Sequence, residues 1–194
     1  MNPFKTFNSI LKPYIHEKGL KELPLRWSEK HRYYHNTNHL IQIIHDIETN
    51  MWFRELSVLE KQALMIAAFY HDAIYNSKKD DNEEQSVKLF LRDYSGKDSR
   101  MIDTVCELIM VTKYRKRPVT KLKKIFWDAD NSGFKKGFDF LMKTEKLIQK
   151  EYPYLPKEKF REGKIKFLET NIGLFGDKAD KDIQKLIIYY QDKF

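Results

Sequence analysis

Apolar residues recur every three or four positions along almost the whole chain, which is the spacing of one face of an α-helix. The pattern predicts helical segments at 4–14, 40–47, 64–70, 98–112, 134–152, 156–168 and 180–190. Asn36 and Thr37 are candidate N-caps, and Ser57 with Glu60 has the spacing of a capping box. Alternating strand patterns and Asn-Gly or Asp-Gly hairpin turns are missing. We therefore predict an all-α bundle of roughly eight to ten helices.

The domain organisation follows from the length and from the segments between the helices. The least regular segments are 76–82, 114–120 and 173–178, and none is a low-complexity linker. No internal repeat is visible, and 194 residues with 41% apolar and 14% aromatic side chains can bury a sizeable core. We predict a single domain over residues 1–194.

Charge and cysteine usage limit the partners and the compartment. A net charge of +8 suits an anionic partner, either a small phosphorylated compound or nucleic acid, although a lysine-rich solvated surface explains it equally well. The single cysteine, Cys106, excludes an internal disulfide and fits a reducing, cytoplasmic location. The longest apolar stretch, ALMIAAFY, is too short to span a membrane, so we expect no membrane partner. The sequence does not indicate an oligomeric state.

Two histidine-containing stretches carry candidate chemistry. His71 and Asp72 follow the apolar run AAFY, so they lie at the end of a helix expected to be buried. Burial of an imidazole and a carboxylate is costly unless they are paired or bind a metal. In YHNTNH, His35 and His39 are four positions apart and share one helical face, which suits either metal binding or a capped helix start.

The order of these stretches resembles the HD superfamily of metal-dependent phosphohydrolases, and within it a predicted HD phosphohydrolase family. WSEKHRYYHNTNHL is similar to the opening R-x-Y-H-N/T-x-x-H-hydrophobic, AAFYHDAIY to A-A-W-F-H-D-A-x-Y, and DDNEEQS to D-N-E-E-x-S. FWDAD is similar to F-L-D-A-D, and IQKEYPYLPKEKFREGKIKFLE to R-x-E-Y followed by F-x-x-G-R-x-x-x-L. The resemblance covers about residues 27–175 and implies an HD-type helical domain.

The resemblance also implies a metal site and an activity. The ligands would be His39, His71, Asp72 and an aspartate of DAD, with Asp130 favoured because it follows a small residue and Asp128 as its substitute. These donors suit one divalent ion, Mn, Fe, Co, Ni, Zn or Mg, which activates water and neutralises phosphoryl charge. The expected enzyme cleaves a phosphate ester or anhydride of a nucleotide or another small phosphorylated metabolite.

Further roles are expected around this site. Glu83 or Glu84 is the candidate for orienting or deprotonating the attacking water, although both fit equally well as solvated residues at a helix N-terminus. His35 becomes a group that supports a ligand or faces the phosphate. Three basic side chains are candidate substrate contacts, unless they belong to a solvated basic face: Lys113, Arg115 and Arg117.

DADNSGF also begins like an EF-hand calcium loop. Asp128, Asp130 and Ser132 occupy its first, third and fifth positions, and Gly133 occupies the turn position. The match then fails, because Asp139 replaces the usual glutamate at the end of the segment 128–139 and no second loop exists. A further alternative is a non-catalytic helical module that binds protein or nucleic acid and retains an HD-like shell. Nucleic acid is a possible partner but not the favoured one.

Overall fold

The chain folds into α-helices joined by short loops, in a computed structural model that describes residues 3–6, 8–114 and 116–192. These residues contain no β-strand, only an isolated bridge between Ile15 and Tyr94. They form eleven α-helices: α1 (Pro3–Thr6), α2 (Asn8–Leu11), α3 (Glu17–Arg26), α4 (Thr37–Glu48), α5 (Val58–Tyr70), α6 (Asn82–Asp93), α7 (Ser99–Val111), α8 (Lys121–Asp130), α9 (Phe138–Lys150), α10 (Lys157–Glu169) and α11 (Asp177–Asp192). The all-α prediction is confirmed.

Capping side chains fix the start of the two helices that lead into the site. Helix α4 begins after Asn36, whose side-chain oxygen accepts a hydrogen bond from the backbone N–H of Asn38 at 2.9 Å. Helix α5 begins with the predicted capping box, in which Ser57 and Glu60 each accept a backbone N–H of the other. These three bonds satisfy backbone donors that a helix start leaves unpaired, so these boundaries are set by local sequence.

The expected helix 134–152 is wrong at its start. The chain leaves α8 through a 3₁₀ turn at Ser132–Lys135, and α9 begins only at Phe138. Gly137 has a φ of 93°, a left-handed conformation that interrupts the helical path and that glycine adopts without strain. The apolar spacing across this break arises because Phe134 also packs inward, against the side chain of Phe175.

Helix α5 lies in the centre of the larger hydrophobic cluster and packs against α4, α6, α7 and α8. All of its residues from 63 to 70 are buried, as expected for a helix that is apolar around its whole circumference. Its last turn therefore delivers His71 into the protein interior. Within the described ranges no helix combines the length and the apolarity needed to cross a membrane.

A second, smaller hydrophobic cluster is formed by α9, α10 and α11, around Leu141, Phe160 and Leu186. The two clusters meet at Phe175, which packs against both and stacks on Trp127 with ring centroids 5.1 Å apart. A cavity lies between the second cluster and the ends of α4, α5 and α8. This arrangement places α9 and α10 beside the candidate site.

Candidate metal centre and its cavity

Four side chains from three helical segments converge at one end of the cavity, and we call them the His/Asp cluster: His39 of α4, His71 and Asp72 after α5, and Asp130 at the end of α8. His39 Nε2 lies 3.4 Å from Asp130 Oδ1 and 3.8 Å from Asp72 Oδ2. His71 Nε2 lies 3.2 Å from Asp72 Oδ2 and 3.7 Å from Asp130 Oδ1. The structure thus brings together the four residues that the sequence reasoning favoured as ligands.

The orientation of the His71 imidazole shows which nitrogen faces the cluster. Its Nδ1 lies 2.9 Å from the carbonyl oxygen of Ala68, and because a carbonyl only accepts, Nδ1 carries the proton. In the neutral ring, Nε2 then holds a lone pair directed at the carboxylates. This Nε2 is buried and makes no hydrogen bond, although Asp72 is in ion-pair contact. A histidine that donates from one ring nitrogen to a backbone carbonyl, with its other ring nitrogen directed at further candidate ligands, is typical of metal sites.

The electrostatics of the cluster favour a cation. Burial disfavours the charged forms of all these groups and lowers the pKa of His39, so this imidazole stays neutral. Burial acts in the same direction on His71, but the carboxylates of Asp72 and Asp130 outweigh it and raise the His71 pKa. The same pairing lowers the pKa of Asp72 against the effect of burial. Without a metal, a proton on His71 offsets only one of the two carboxylate charges, so the cluster keeps a net negative charge.

These residues fit a divalent transition metal. The candidate ligand atoms of His39, His71 and Asp72 all lie within 4.8 Å of one another. Asp130 Oδ1 lies 3.4 Å from His39 Nε2, so two imidazole nitrogens and two carboxylates are candidate donors. The side chains of Asp72 and Asp130 are 15% and 19% exposed, so the cluster is open on the carboxylate side. The open side leads into the cavity, which Asp72 and Asp130 both line.

Asp128 lies outside the His/Asp cluster. Its carboxylate is 3.0 Å from Arg117 Nη2 and 3.1 Å from Lys135 Nζ, so two cations already neutralise it. The DAD aspartates sit on a helix two positions apart and therefore point in different directions. The structure does not bring Asp128 and Asp130 together as an EF-hand loop would, and Ser132 lies in the 3₁₀ turn that follows.

The candidate water-activating glutamates also occupy different environments. Glu83 lines the cavity, and burial followed by the negative charge of Asp72 raises the pKa of its carboxyl. Glu84 forms an ion pair with Lys113, which lowers the pKa of the Glu84 carboxyl. Lys113 also donates to the carbonyl oxygen of Asp80 at 2.8 Å. Glu83 is therefore placed to act in the cavity, while Glu84 and Lys113 pair with each other.

Neither of the two basic candidates that the structure describes lies against the cavity. Arg117 is paired with Asp128 and does not line the cavity. Arg115 lies outside the described residues. Of the three basic residues expected to contact substrate, none has a described side chain in the cavity wall.

Glu151 fixes the loop that carries His35, and the sequence reasoning gave it no role. One carboxylate oxygen accepts backbone N–H bonds from Tyr33, Tyr34 and His35 at 2.7, 2.7 and 3.0 Å. The other lies 2.6 Å from His35 Nδ1 and accepts the Tyr75 hydroxyl at 2.9 Å. His35 Nδ1 therefore donates a hydrogen bond to Glu151, and the imidazole ring lines the cavity. In the sequence, the match of Glu151 to the glutamate of the R-x-E-Y motif could have pointed to this role.

Arg32 is a second residue that the sequence reasoning did not single out. Its guanidinium is fully buried and donates to the backbone carbonyls of Asp72 at 2.6 Å, Ala73 at 3.0 Å and His35 at 3.2 Å. It thereby joins the loop before α4 to the turn after α5, the two segments that present His39 and Asp72. The arginine of the R-x-Y-H motif could have pointed to it.

The His/Asp cluster opens into a cavity of about 420 Å³ that extends to α9 and α10. Tyr34 lines this cavity with its ring centroid 4.8 Å from that of His39. Burial, and then the carboxylates of Asp130, Asp72 and Glu145, raise the pKa of the Tyr34 phenol. The Tyr34 hydroxyl is therefore protonated and can donate a hydrogen bond. Tyr34 lies close to the His/Asp cluster and to Glu145 of α9.

No protein-family model matches the chain. No curated protein matches its sequence either.

Proposed function

We propose that this protein is an HD-type, metal-dependent phosphohydrolase that acts on a nucleotide or another small phosphorylated metabolite. The observation that carries the proposal is the convergence of His39, His71, Asp72 and Asp130 in one cluster, in which His71 Nε2 lies 3.2 Å from Asp72 Oδ2 and 3.7 Å from Asp130 Oδ1. The collinear motifs that resemble the HD superfamily support it from the sequence. A cavity of about 420 Å³ is within the range that small-molecule sites occupy.

In the proposed mechanism, His39, His71, Asp72 and Asp130 would hold one divalent ion, which supplies Lewis acidity and neutralises charge on the phosphoryl group. Glu83 accepts a proton from the attacking water at its carboxylate, a role that a pKa raised towards neutrality favours. Glu151 accepts the hydrogen bond of His35 Nδ1 and so holds the His35 ring in one orientation beside the cavity in which the phosphoryl group would lie.

Substitution of Glu83 by glutamine is expected to lower turnover about 100-fold, because the amide has the same shape but cannot take up the proton. Metal content should remain unchanged, since Glu83 is not one of the four converging side chains. Glu84→Gln is the matched control, and its turnover should stay within about threefold because Glu84 pairs with Lys113. Equal losses in the two variants would contradict the assignment of the base to Glu83.

The proposed activity is tested by phosphate release from a panel of nucleotides, sugar phosphates and other phosphorylated metabolites, each supplied with Mn²⁺, Fe²⁺, Co²⁺, Ni²⁺, Zn²⁺ or Mg²⁺. We expect at least one compound to be hydrolysed, and the Asp72→Ala protein to release no phosphate above background. If metal-loaded protein releases no phosphate from any compound, or if Asp72→Ala is equally active, the phosphohydrolase proposal fails.

A further inference from the structure

The cavity has a second part, which we call the distal compartment, built by the 3₁₀ turn, α9 and α10. Its walls are mainly aromatic and aliphatic, and include Phe134, Leu141, Ile148, Phe160 and Phe167. The His/Asp cluster supplies the polar end of the same cavity. A site with one polar, potentially cationic end and one apolar end suits a ligand that combines a phosphate with an apolar ring.

One buried ion pair interrupts the apolar wall of the distal compartment. Lys164 Nζ lies 2.8 Å from Glu145 Oε1, and the two side chains are only 11% and 8% exposed. The Tyr190 hydroxyl donates to Glu145 Oε2 at 2.9 Å, and Lys164 Nζ lies 4.4 Å from the ring centroid of Phe167. A buried ion pair contributes little to stability compared with well-packed apolar residues, so its place in a cavity wall points to a role in binding.

The hydrogen-bonding capacity of this pair is only partly used. Each carboxylate oxygen of Glu145 can accept two hydrogen bonds, and the Lys164 ammonium has three N–H donors, one of which serves Glu145. The pair therefore presents an acceptor beside a donor. The pair has a net charge of zero. An anionic ligand group beside it, such as a second phosphate of the ligand, would be repelled by the Glu145 carboxylate as well as attracted by the Lys164 cation. An uncharged ligand group is favoured over an anionic one.

We propose that the distal compartment binds the organic part of the substrate and that Glu145 and Lys164 select a planar nitrogen heterocycle with an N–H donor next to an acceptor. The aromatic walls stack on the faces of such a ring, while Glu145 and Lys164 form hydrogen bonds with the donor and acceptor at its edge. A nucleobase has this edge, whereas a sugar phosphate without a base does not. This inference rests on the proposed function, because it places the phosphate of the same ligand at the His/Asp cluster.

The test is calorimetric binding to the full chain in excess EDTA, so that the result does not depend on metal loading or turnover. The probes are ribose 5-phosphate and the 5′-monophosphates of uridine, cytidine, adenosine and guanosine. We expect at least one nucleotide to bind about tenfold or more tightly than ribose 5-phosphate. Equal affinity for ribose 5-phosphate and all four nucleotides overturns the inference.

The double variant Glu145→Gln/Lys164→Met removes both charges together and so leaves no unpaired buried ion. It should lose the preference for the nucleotide over ribose 5-phosphate, while Glu158→Gln/Lys166→Met, at two exposed positions of α10, should retain it. If the Glu145/Lys164 double variant is folded by circular dichroism and keeps the preference, the assignment to this pair is wrong. If that variant does not fold, Glu145→Gln alone is measured against the same criterion.

The outcomes separate this inference from the phosphohydrolase proposal. Selective nucleotide binding that depends on Glu145 and Lys164, in a protein that releases no phosphate with any metal, supports the compartment and removes the catalytic proposal. Hydrolysis of a sugar phosphate and a nucleotide at equal efficiency, unchanged by the double variant, supports the catalytic proposal and removes the compartment. Neither result can be mistaken for the other.

Discussion

Asp72→Ala protein is expected to retain no transition metal after loading and desalting, whereas Asp128→Ala protein retains as much as the wild type. Asp72 is one of two carboxylates that face His39 and His71, so its removal takes away a ligand and half of the balancing negative charge. Asp128 also carries a carboxylate and lies on the same helix as Asp130, but it is already neutralised by Arg117 and Lys135.

The measurement is metal content per chain by mass spectrometry, after incubation with Mn²⁺, Fe²⁺ or Zn²⁺. We expect about one ion per chain for wild type and for Asp128→Ala. For Asp72→Ala we expect metal affinity to fall by at least about 100-fold, which is more than the usual loss when a residue that only supports a ligand is removed. Circular dichroism controls for folding. Retention of metal by Asp72→Ala, or its loss in both variants, would remove the proposed centre.

Local sequence was sufficient to predict the burial of α5 and the starts of α4 and α5. His71 and Asp72 were expected inside the protein because the preceding residues are apolar around the whole helix, and α5 is buried as that pattern requires. The capping signals before α4 and α5 were equally readable. Such features depend on neighbours within one or two helical turns, where periodicity and capping chemistry apply directly.

Other parts of the site depend on contacts that no local pattern encodes. Glu151 binds the backbone of Tyr33 across 118 positions of sequence, and Lys164 meets Glu145 across two helices. In both cases the partner is determined by tertiary packing. Lys113 and Arg117 illustrate the same limit: their positive charges predicted anion binding, but the fold pairs them with Glu84 and Asp128. The break at Gly137 was missed because apolar spacing continues across it.

Arg32 and Glu151 together show how the fold holds a site whose ligands come from distant segments. Arg32 donates hydrogen bonds to the backbone carbonyl oxygens of His35 and Asp72. Glu151 accepts hydrogen bonds from backbone N–H groups of the loop that contains His35. Each side chain uses a charged group to form hydrogen bonds with several backbone groups. Hydrogen bonds to a charged group are stronger than hydrogen bonds between neutral groups. Because neither side chain is one of the converging ligands, each can be substituted to test positioning separately from metal coordination.

Glu151→Gln is expected to lower the free energy of unfolding by about 3 kcal/mol at pH 7. The Glu151 side chain is fully buried. Burial alone would raise its pKa, but the hydrogen bond and charge of His35 and the backbone N–H groups outweigh this and lower the pKa to about 2. Relative to a usual value of 4.5, this difference corresponds to about 3 kcal/mol that depends on the carboxylate.

The pH dependence follows from the direction of that shift. A carboxyl with a lowered folded-state pKa stabilises the fold fully above its unfolded pKa, and this stabilisation is lost as pH falls from about 4.5 towards 2. The difference in unfolding free energy between wild type and Glu151→Gln should therefore shrink by about 1.4 kcal/mol at pH 3.5.

Urea denaturation in EDTA at pH 7 and pH 3.5 measures this difference without a contribution from bound metal. The exposed Glu158→Gln on α10 is the control, and it should change stability by less than about 0.5 kcal/mol at either pH. A difference between wild type and Glu151→Gln that does not change with pH would mean that the amide disturbs packing and that the Glu151 charge does not hold the loop. A difference that shrinks in acid ties the stability of the fold to the same carboxylate that orients His35.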